Sequence, residues 1–117
     1  MGAIRGAICA ENTVEDISQK SVELIRAMLY DNAIFALDKI EAIIFSVTDD
    51  LNACYPAKSV REQFHLDKVA FMCVQEMRVP NSLPQCIRVS VFVKGLAQKK
   101  CFHCYIGQAK VLRPDLK

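Results

Sequence analysis

Two charged residues stand in stretches of sequence that otherwise have the character of buried β-strands. Glu76 follows the apolar run at 69–74, and Arg88 stands between Ile87 and Val89. A full charge in such a setting costs roughly several kcal/mol unless something pairs with it. The carboxylate could accept a hydrogen bond from a hydroxyl, and the guanidinium could donate to an oxygen atom. Two interpretations are open: the residues form a salt bridge between adjacent strands, or they await a ligand.

Five cations, Arg88 among them, lie near strand ends and apolar runs. Arginine suits a carboxylate or a phosphate because its fork of N–H donors matches two oxygens. Tyr105 adds a neutral donor. A pocket with apolar walls and such a cluster is typical of a site for a small polyanion. The cations concerned are Arg5, Lys58, Arg61, Arg88 and Arg113. For Lys58 and Arg61, which lie three residues apart, an exposed helix face is the alternative interpretation.

Several reaction classes lack the residues that they require. The sequence contains no phosphate-binding loop, no glycine-rich dinucleotide turn, no Ser-His-Asp order and no helix with two histidines. His65 and His103 are more typical of surface or hydrogen-bonded core groups than of general bases. Cys73 has no activating group nearby in the sequence, so we interpret it as a lining thiol. We therefore expect chemistry in which an anion is held, bent and stabilised.

The cysteines do not predict a metal site or a disulfide. Four of the six lie inside apolar runs and are interpreted as small buried hydrophobic residues. Cys101 and Cys104 form a lone C-x-x-C motif, and a zinc site would need two further ligands at suitable spacing. The first residues do not form a signal peptide because Arg5 interrupts the apolar region. We expect a cytoplasmic protein with reduced thiols.

The composition limits the partners. The net charge of +2 is too small to indicate nucleic-acid binding. No apolar run approaches the ~20 residues of a membrane-spanning helix. We therefore expect neither nucleic acid nor a membrane as a partner. The hydrophobic fraction of 52% lies slightly above the ~45–50% of soluble domains. This fraction favours some apolar surface buried between subunits.

The hydrophobic pattern predicts a single α+β domain over residues 1–117, with the order β-α-β-α-β-β-β and two helices packed on one face of a mixed sheet. Thr13 caps a first helix that runs to about Asn32, and Pro56 begins a second helix that runs to about Phe64. Strands are predicted at 3–7, 42–48, 69–77 and 86–93, and a last one before Gly107. The predicted helix core residues are Ile17, Leu24, Ile25, Met28, Leu29, Val60 and Phe64.

The strand at 86–93 has two distinct faces. Successive side chains of a strand point to opposite sides of the sheet. One face therefore carries Ile87, Val89, Val91 and Val93, and the other carries Cys86, Arg88, Ser90 and Phe92. The charge of Arg88 is predicted to lie on the second face.

Five motifs together closely resemble the monofunctional, trimeric chorismate mutases of the α+β class, which differ from the all-helical class. The resemblance spans essentially the whole chain. IRGA alone carries little weight, whereas YPAKSVRE, CIRV and the RPDL tail are specific in combination. The motifs are IRGA at 4–7, YPAKSVRE at 55–62, CVQEM at 73–77, CIRV at 86–89 and VLRPDL at 111–116.

The resemblance implies the Claisen rearrangement of chorismate to prephenate, a unimolecular isomerisation in aromatic amino-acid biosynthesis that uses no cofactor and no metal. It also implies a ferredoxin-like, chorismate-mutase-like fold that assembles as a pseudo-barrel homotrimer with sites at the subunit interfaces. Two alternatives remain open: an imine deaminase on a similar scaffold, and a non-catalytic trimer that binds an anion.

The resemblance also implies residue roles. Arg88 would donate to the ether oxygen, and Glu76 would accept from the ring hydroxyl with Cys73 beside it. Arg5 and Tyr105 would hold a carboxylate. The matching lining positions are Phe71, Met72 and Leu112; the neighbouring chain would supply Tyr55, Ala57, Lys58 and Arg61; and Arg113 belongs to the tail that closes over the site.

The sequence departs from the family pattern at a few positions. Ile8 and Cys9 replace small threonines, Tyr55 replaces a common phenylalanine, and Arg78 stands where an acidic residue is frequent. None of these changes removes a residue with an implied catalytic role.

Overall fold

Helices and strands follow one another in the predicted order in the computed structural model, which describes residues 1–114. The end of the RPDL motif, at 115–117, lies outside the described residues. Three short 3₁₀ helices, at Leu37–Lys39, Gln98–Lys100 and Gly107–Leu112, supplement the main elements. The main elements are β1 (Gly2–Cys9), α1 (Val14–Asp31), β2 (Ile40–Val47), α2 (Pro56–Phe64), β3 (Ala70–Gln75), β4 (Cys86–Val93) and β5 (Cys104–Tyr105).

Helix α1 begins where the sequence predicts. Thr13 is extended, and its hydroxyl accepts a hydrogen bond from the Asp16 N–H at 3.0 Å, which satisfies one of the free donors of the first turn. Asn32 closes the helix, and its backbone N–H bonds to the Met28 carbonyl. The predicted core face is confirmed because Ile17, Leu24, Ile25, Met28 and Leu29 are all buried.

Helix α2 also begins at the predicted residue. Pro56 occupies the first turn, where its missing N–H is no loss, and Val60 is fully buried. Phe64 is only partly buried, but it packs against the main core as predicted. The Arg26 guanidinium also lies over its ring, 5.6 Å from the ring centre.

The five strands form one mixed sheet in the order β3-β2-β4-β1-β5. β4 pairs antiparallel with β1 and β2, while β3 and β5 are parallel to their neighbours at the two edges. Both helices pack on one face, as predicted. The alternation of β4 is confirmed: Ile87, Val89, Val91 and Val93 are buried, and Arg88, Ser90 and Phe92 are partly exposed on the face opposite to the helices, here called the open face.

The ends of β1, β2 and β3 differ from prediction by one or two residues, and pairing explains the differences in β1 and β3. β3 ends at Gln75, since its parallel partner β2 ends at Val47, so Glu76 lies just beyond the strand. The Glu76 N–H still bonds to the Val47 carbonyl at 2.7 Å. β1 is longer than predicted because β4 pairs with it along its whole length.

The open face is only partly covered within the chain. Ala109, in the last 3₁₀ helix, packs with Ala7 and Cys86 at one end of this face. Cys86 is therefore buried although it lies on the open face. Farther along, Ile44, Met72 and Val74 remain 37%, 58% and 42% exposed. No helix within residues 1–114 is long and apolar enough to cross a membrane.

Candidate active site

A pocket on the open face gathers four of the predicted site residues. It has a volume of about 210 Å³, and Arg5, Glu76, Arg88 and Tyr105 line it together with the smaller polar side chains of Ser46 and Ser90. Ligand pockets usually measure roughly 300–1,000 Å³. The pocket of one chain is thus smaller than a complete small-molecule site.

The strand register explains why these side chains meet. Arg88 lies opposite Ala7 on β1, and Arg5 lies opposite Ser90. Residues with this diagonal relationship share a face and stand roughly 7–8 Å apart. Tyr105 pairs with Ala7 from the other side of β1. The sheet therefore brings together groups from β1, β4 and β5 that are distant in sequence.

Arg88 and Glu76 form an ion pair that leaves an acceptor unsatisfied. The Arg88 Nε lies 3.0 Å from the Glu76 Oε1. Oε1 is nevertheless buried and accepts no hydrogen bond from residues 1–114, since the Arg88 N–H does not point at it. The salt bridge expected as one interpretation exists, but it does not join adjacent strands, since β2 lies between β3 and β4.

His103 contacts a predicted site residue in a way that the sequence analysis missed. Its Nδ1 accepts a hydrogen bond from the backbone N–H of Arg5 at 3.0 Å. Burial lowers the pKa of His103, and the charges of Arg5 and Arg113 lower it further. The imidazole is therefore neutral near pH 7. A usable signal was present: His103 stands two residues before Tyr105, so both side chains leave an extended segment on the same side.

A second cleft, of about 630 Å³, holds other predicted residues. Tyr55, Lys58 and Cys73 line it, on a different part of the chain surface. Cys73 lies opposite Phe45, whose side chain is fully buried beneath the helices. Within one chain Cys73 is thus on the opposite side of the sheet from Arg88, and not beside Glu76 as the resemblance implies. Burial raises the pKa of Cys73, so its thiol stays protonated at neutral pH.

The remaining predicted lining residues are divided between the two faces. Phe71 lies opposite Ile43 and packs against the main core, whereas Met72 lies opposite Ile44 on the open face. Ala57 is half-buried against the core, and Lys58 and Arg61 are exposed on α2.

The segment after β5 returns toward the pocket. Leu112 packs against the small cluster of Ala7, Cys86 and Ala109, which also includes Tyr105. Arg113 lies close enough to His103 to lower the pKa of its imidazole. One chain therefore brings Arg5, Glu76, Arg88 and Tyr105 together, with the end segment beside them. It does not bring them together with Tyr55, Lys58 and Cys73.

The cysteines of the C-x-x-C motif have separate surroundings. Cys104 is buried beside Asp31, and burial raises its pKa to about 11. Cys101 lies near Gly2 and hydrogen-bonds to the Ala97 carbonyl. In the described part of the chain, no three His, Cys, Asp or Glu side chains converge on a possible metal position.

Comparison with known proteins gives consistent matches over nearly the whole chain. The family model of type I chorismate mutase matches residues 1–116. Chorismate mutase AroH of Thermus thermophilus is 40% identical over 116 residues, which cover 97% of this chain and 94% of that protein. Chorismate mutase AroH of Bacillus subtilis (strain 168) is 39% identical over 115 residues, which cover 97% of this chain and 90% of that protein. A solved chorismate mutase structure from Clostridium thermocellum superposes with a TM-score of 0.88 at 37% identity, covering 95% of this chain and 99% of the other.

Proposed function

Because the chain belongs to the type I chorismate mutase family, we propose that its open-face pocket is the place where chorismate rearranges to prephenate. The protein is an enzyme of the isomerase class with chorismate mutase function. The reaction breaks a C–O bond and forms a C–C bond within one molecule, without a change of redox state. The pocket must therefore hold a compact conformer and stabilise the charge that separates as the ether bond breaks.

The observation that carries the proposal is the Arg88–Glu76 ion pair in the wall of the open-face pocket. A charged pair beside apolar strands is costly unless it has a use there. The ring hydroxyl of chorismate is a donor of suitable kind for the Glu76 carboxylate, whose side chain lines the pocket and is 29% exposed. Binding the substrate would then give this carboxylate a hydrogen bond beside its ion pair with Arg88.

Arg88 has the role of stabilising negative charge on the ether oxygen. Its ion pair with Glu76 involves Nε, so its terminal nitrogens retain donors for the substrate. Donors that already point toward developing charge require no reorganisation during the reaction, and one such donor typically contributes about 10²–10³ in rate. Arg88 is thus the residue with the largest single effect.

Arg5 and Tyr105 are proposed to hold the side-chain carboxylate. Both line the same pocket as Arg88, and a guanidinium with a neighbouring phenol offers several donors to one carboxylate. Fixing this group beside the ring restricts chorismate to conformers in which the two reacting carbons are close. Such confinement can contribute a large share of a unimolecular rate enhancement.

A homotrimer would complete the pocket from a neighbouring chain. Three observations support this: the pocket of one chain is small, the apolar residues Ile44, Met72 and Val74 are exposed beside it, and other family positions lie in the separate second cleft. In the trimer, the neighbour's second cleft would face this pocket. Cys73 shares that cleft with Tyr55, so it would reach the site from the same chain as Tyr55, Ala57, Lys58 and Arg61, with Phe71 behind them.

The other lining positions are proposed to act from the chain that carries Arg88. Met72 is on the open face, and Leu112 packs beside Tyr105. Arg113 follows Leu112 at the start of the tail that would close over the substrate. We also propose that residues 1–117 are one domain and that the protein is cytoplasmic. Cell fractionation would test the location.

Chorismate consumption tests the proposal directly. The ultraviolet absorbance of chorismate should decay with saturable kinetics, and acid should convert the product to phenylpyruvate. Arg88→Ala should lower kcat/KM by about 10²-fold or more, and Arg88→Lys should restore little because an ammonium lacks the planar fork. Arg26→Ala, which removes an arginine from the helix layer, is the control.

The outcomes separate the mutase from its alternatives. A decrease of less than tenfold in Arg88→Ala would show that its assigned role is wrong. Chorismate binding without turnover would favour the non-catalytic trimer, and turnover of an imine without turnover of chorismate would favour the deaminase.

A further inference from the structure

We propose that His103 is a positioning residue for Arg5: its imidazole fixes the backbone from which Arg5 reaches the carboxylate of the substrate. The inference rests on the proposed function, because that function assigns the carboxylate to Arg5. His103 does not line the pocket and acts only through Arg5.

The edge of β1 shows why a side chain is needed at this point. β5 is short and pairs only with Gly6 and Ala7. Toward the start of β1, two side chains take the place of a strand. The amide of Gln98 accepts from the Ala3 N–H at 2.8 Å and donates to the Ala3 carbonyl at 2.9 Å. The Nδ1 of His103 accepts from the Arg5 N–H at 3.0 Å.

The two substitutes differ in what they control. Ala3 has no functional side chain, so the contact with Gln98 supports the strand without orienting a residue of the pocket. Arg5 projects into the pocket, and within residues 1–114 no carboxylate lies within ion-pair distance of its guanidinium. The hydrogen bond that the Arg5 N–H donates to His103 holds the backbone of Arg5 at the outer edge of β1, and it thereby helps to set the direction of the side chain.

His103 must be neutral to perform this role, because a protonated Nδ1 cannot accept a hydrogen bond. Its surroundings favour the neutral form: burial is the larger cause of the lowered pKa, and the charges of Arg5 on β1 and Arg113 in the end segment add to it. These two arginines are the charged groups in the described part of the chain that act on the imidazole. Protonation would remove the acceptor and place a third cation beside them.

Four variants, compared with the wild type in the chorismate assay, test the inference. His103→Ala should raise KM for chorismate about tenfold, the effect of losing one ordering hydrogen bond, and should change kcat less. His103→Asn places an amide oxygen close to the position of Nδ1 and should keep KM near that of the wild type. Gln98→Ala removes the neighbouring edge contact and should leave KM within about twofold, even where it lowers Tm. Arg5→Ala removes the guanidinium itself and should therefore give the largest increase in KM.

The pH profile gives a second, independent readout. The dependence of kcat/KM on pH reports groups of the free enzyme. Wild-type kcat/KM should fall as the pH drops below the ordinary histidine pKa of about 6.5, because His103 becomes protonated and its bond to Arg5 is lost. His103→Asn, which cannot titrate there, should lose this part of the acid limb. If His103→Ala does not fold, the pH profiles of the wild type and His103→Asn are sufficient to test the positioning role.

The outcomes that overturn the inference are distinct from those that overturn the proposed function. If KM in His103→Ala matches that in the wild type or in Gln98→Ala, or if His103→Asn keeps the acid limb, the positioning role is wrong. If the wild type does not turn over chorismate, or if Arg5→Ala leaves KM unchanged, the assignment of Arg5 fails and the inference fails with it.

Discussion

Arg88 in β4 and Glu76 just beyond β3 lie on either side of the loop that joins these strands, with Nε 3.0 Å from Oε1 and no hydrogen bond between these two atoms. The loop is anchored where it enters β4. The Gln85 N–H bonds to both carboxylate oxygens of Asp50 at 3.1 and 3.0 Å, and the Cys86 N–H bonds to the Thr48 hydroxyl at 2.9 Å. The loop and the sheet together hold these opposite charges in contact in the wall of the open-face pocket, as expected of a site prepared for a ligand.

Replacing Glu76 by glutamine should reduce activity without unfolding the protein. The amide keeps the shape of the side chain but removes the charge that strengthens a bond from the ring hydroxyl. We expect kcat/KM to fall at least about tenfold, while Tm changes little because the pair is partly exposed.

The control for this variant is Glu41→Gln. Glu41 forms an ion pair with Lys94, at 3.5 Å and with similar exposure, elsewhere on the same sheet. Its activity should equal that of the wild type. If Glu76→Gln keeps full activity, Glu76 is a structural partner of Arg88 and not a group that contacts the substrate.

Mixed oligomers test whether a site combines two chains. Arg5 lies in the open-face pocket, whereas Arg61 is exposed on α2. We expect Arg5→Ala and Arg61→Ala each to be weakly active alone. In oligomers refolded from both, some sites should combine two intact halves, and part of the activity should return. Refolding each variant by itself is the control. An absence of recovery in oligomers shown to contain both chains would place the two arginines in the same half of the site.

Gly6 allows α1 to lie close to β1, and Gly6→Ala should destabilise the fold. A Cβ atom at this position would lie 2.7 Å from the Met28 Sδ, 2.9 Å from the Cys104 carbonyl oxygen and 3.1 Å from the Leu24 Cδ1. The backbone carbonyl cannot move aside as a side chain can, so overpacking should lower the free energy of unfolding by about 1–3 kcal/mol.

Urea denaturation measures the effect of this substitution. Gly95→Ala is a useful comparison, since an added Cβ there has open space and the cost comes only from the positive φ of 73°. A wild-type midpoint for Gly6→Ala would mean that α1 and β5 can shift to accommodate the methyl group.

Asp16 should make stability depend on acid pH. Its carboxylate accepts from the Glu11 N–H at 2.6 Å and from the Lys20 ammonium at 3.0 Å. The bond to Glu11 is the main cause of its lowered pKa, and Lys20 adds to it. A carboxyl group with a lowered folded-state pKa stabilises the fold above its unfolded pKa of about 3.9, and this stabilisation disappears as the pH falls through the folded value.

We therefore expect the wild type to exceed Asp16→Asn in Tm above about pH 4, with the difference shrinking toward pH 2. Glu15→Gln removes a charge from the same helix turn and controls for the helix dipole. A difference in Tm that does not change with pH would mean that the ionisation of Asp16 does not contribute to the stability of the fold.

The sequence predicted local features where one residue decides the conformation. Thr13 and Pro56 placed the starts of both helices, and the alternation along β4 placed Arg88 on the face away from the helices. The ends of β3 and β5 were less predictable, because a strand extends only as far as its neighbour pairs with it. The core contact of Phe64 was predicted, but its partial burial was not, because the burial of a helix end depends on what packs over it.

The family, the order of elements and the identity of the charged groups could be predicted from the sequence, since these depend on motifs and on short-range periodicity. Which of the groups meet could be seen only in the folded chain. It separated Cys73 from Arg88 across the sheet, left the Glu76 Oε1 without a donor and placed His103 against the backbone of Arg5. The physical reason is that strand register and the face of each side chain are fixed by pairing between distant segments, and no local pattern contains that information.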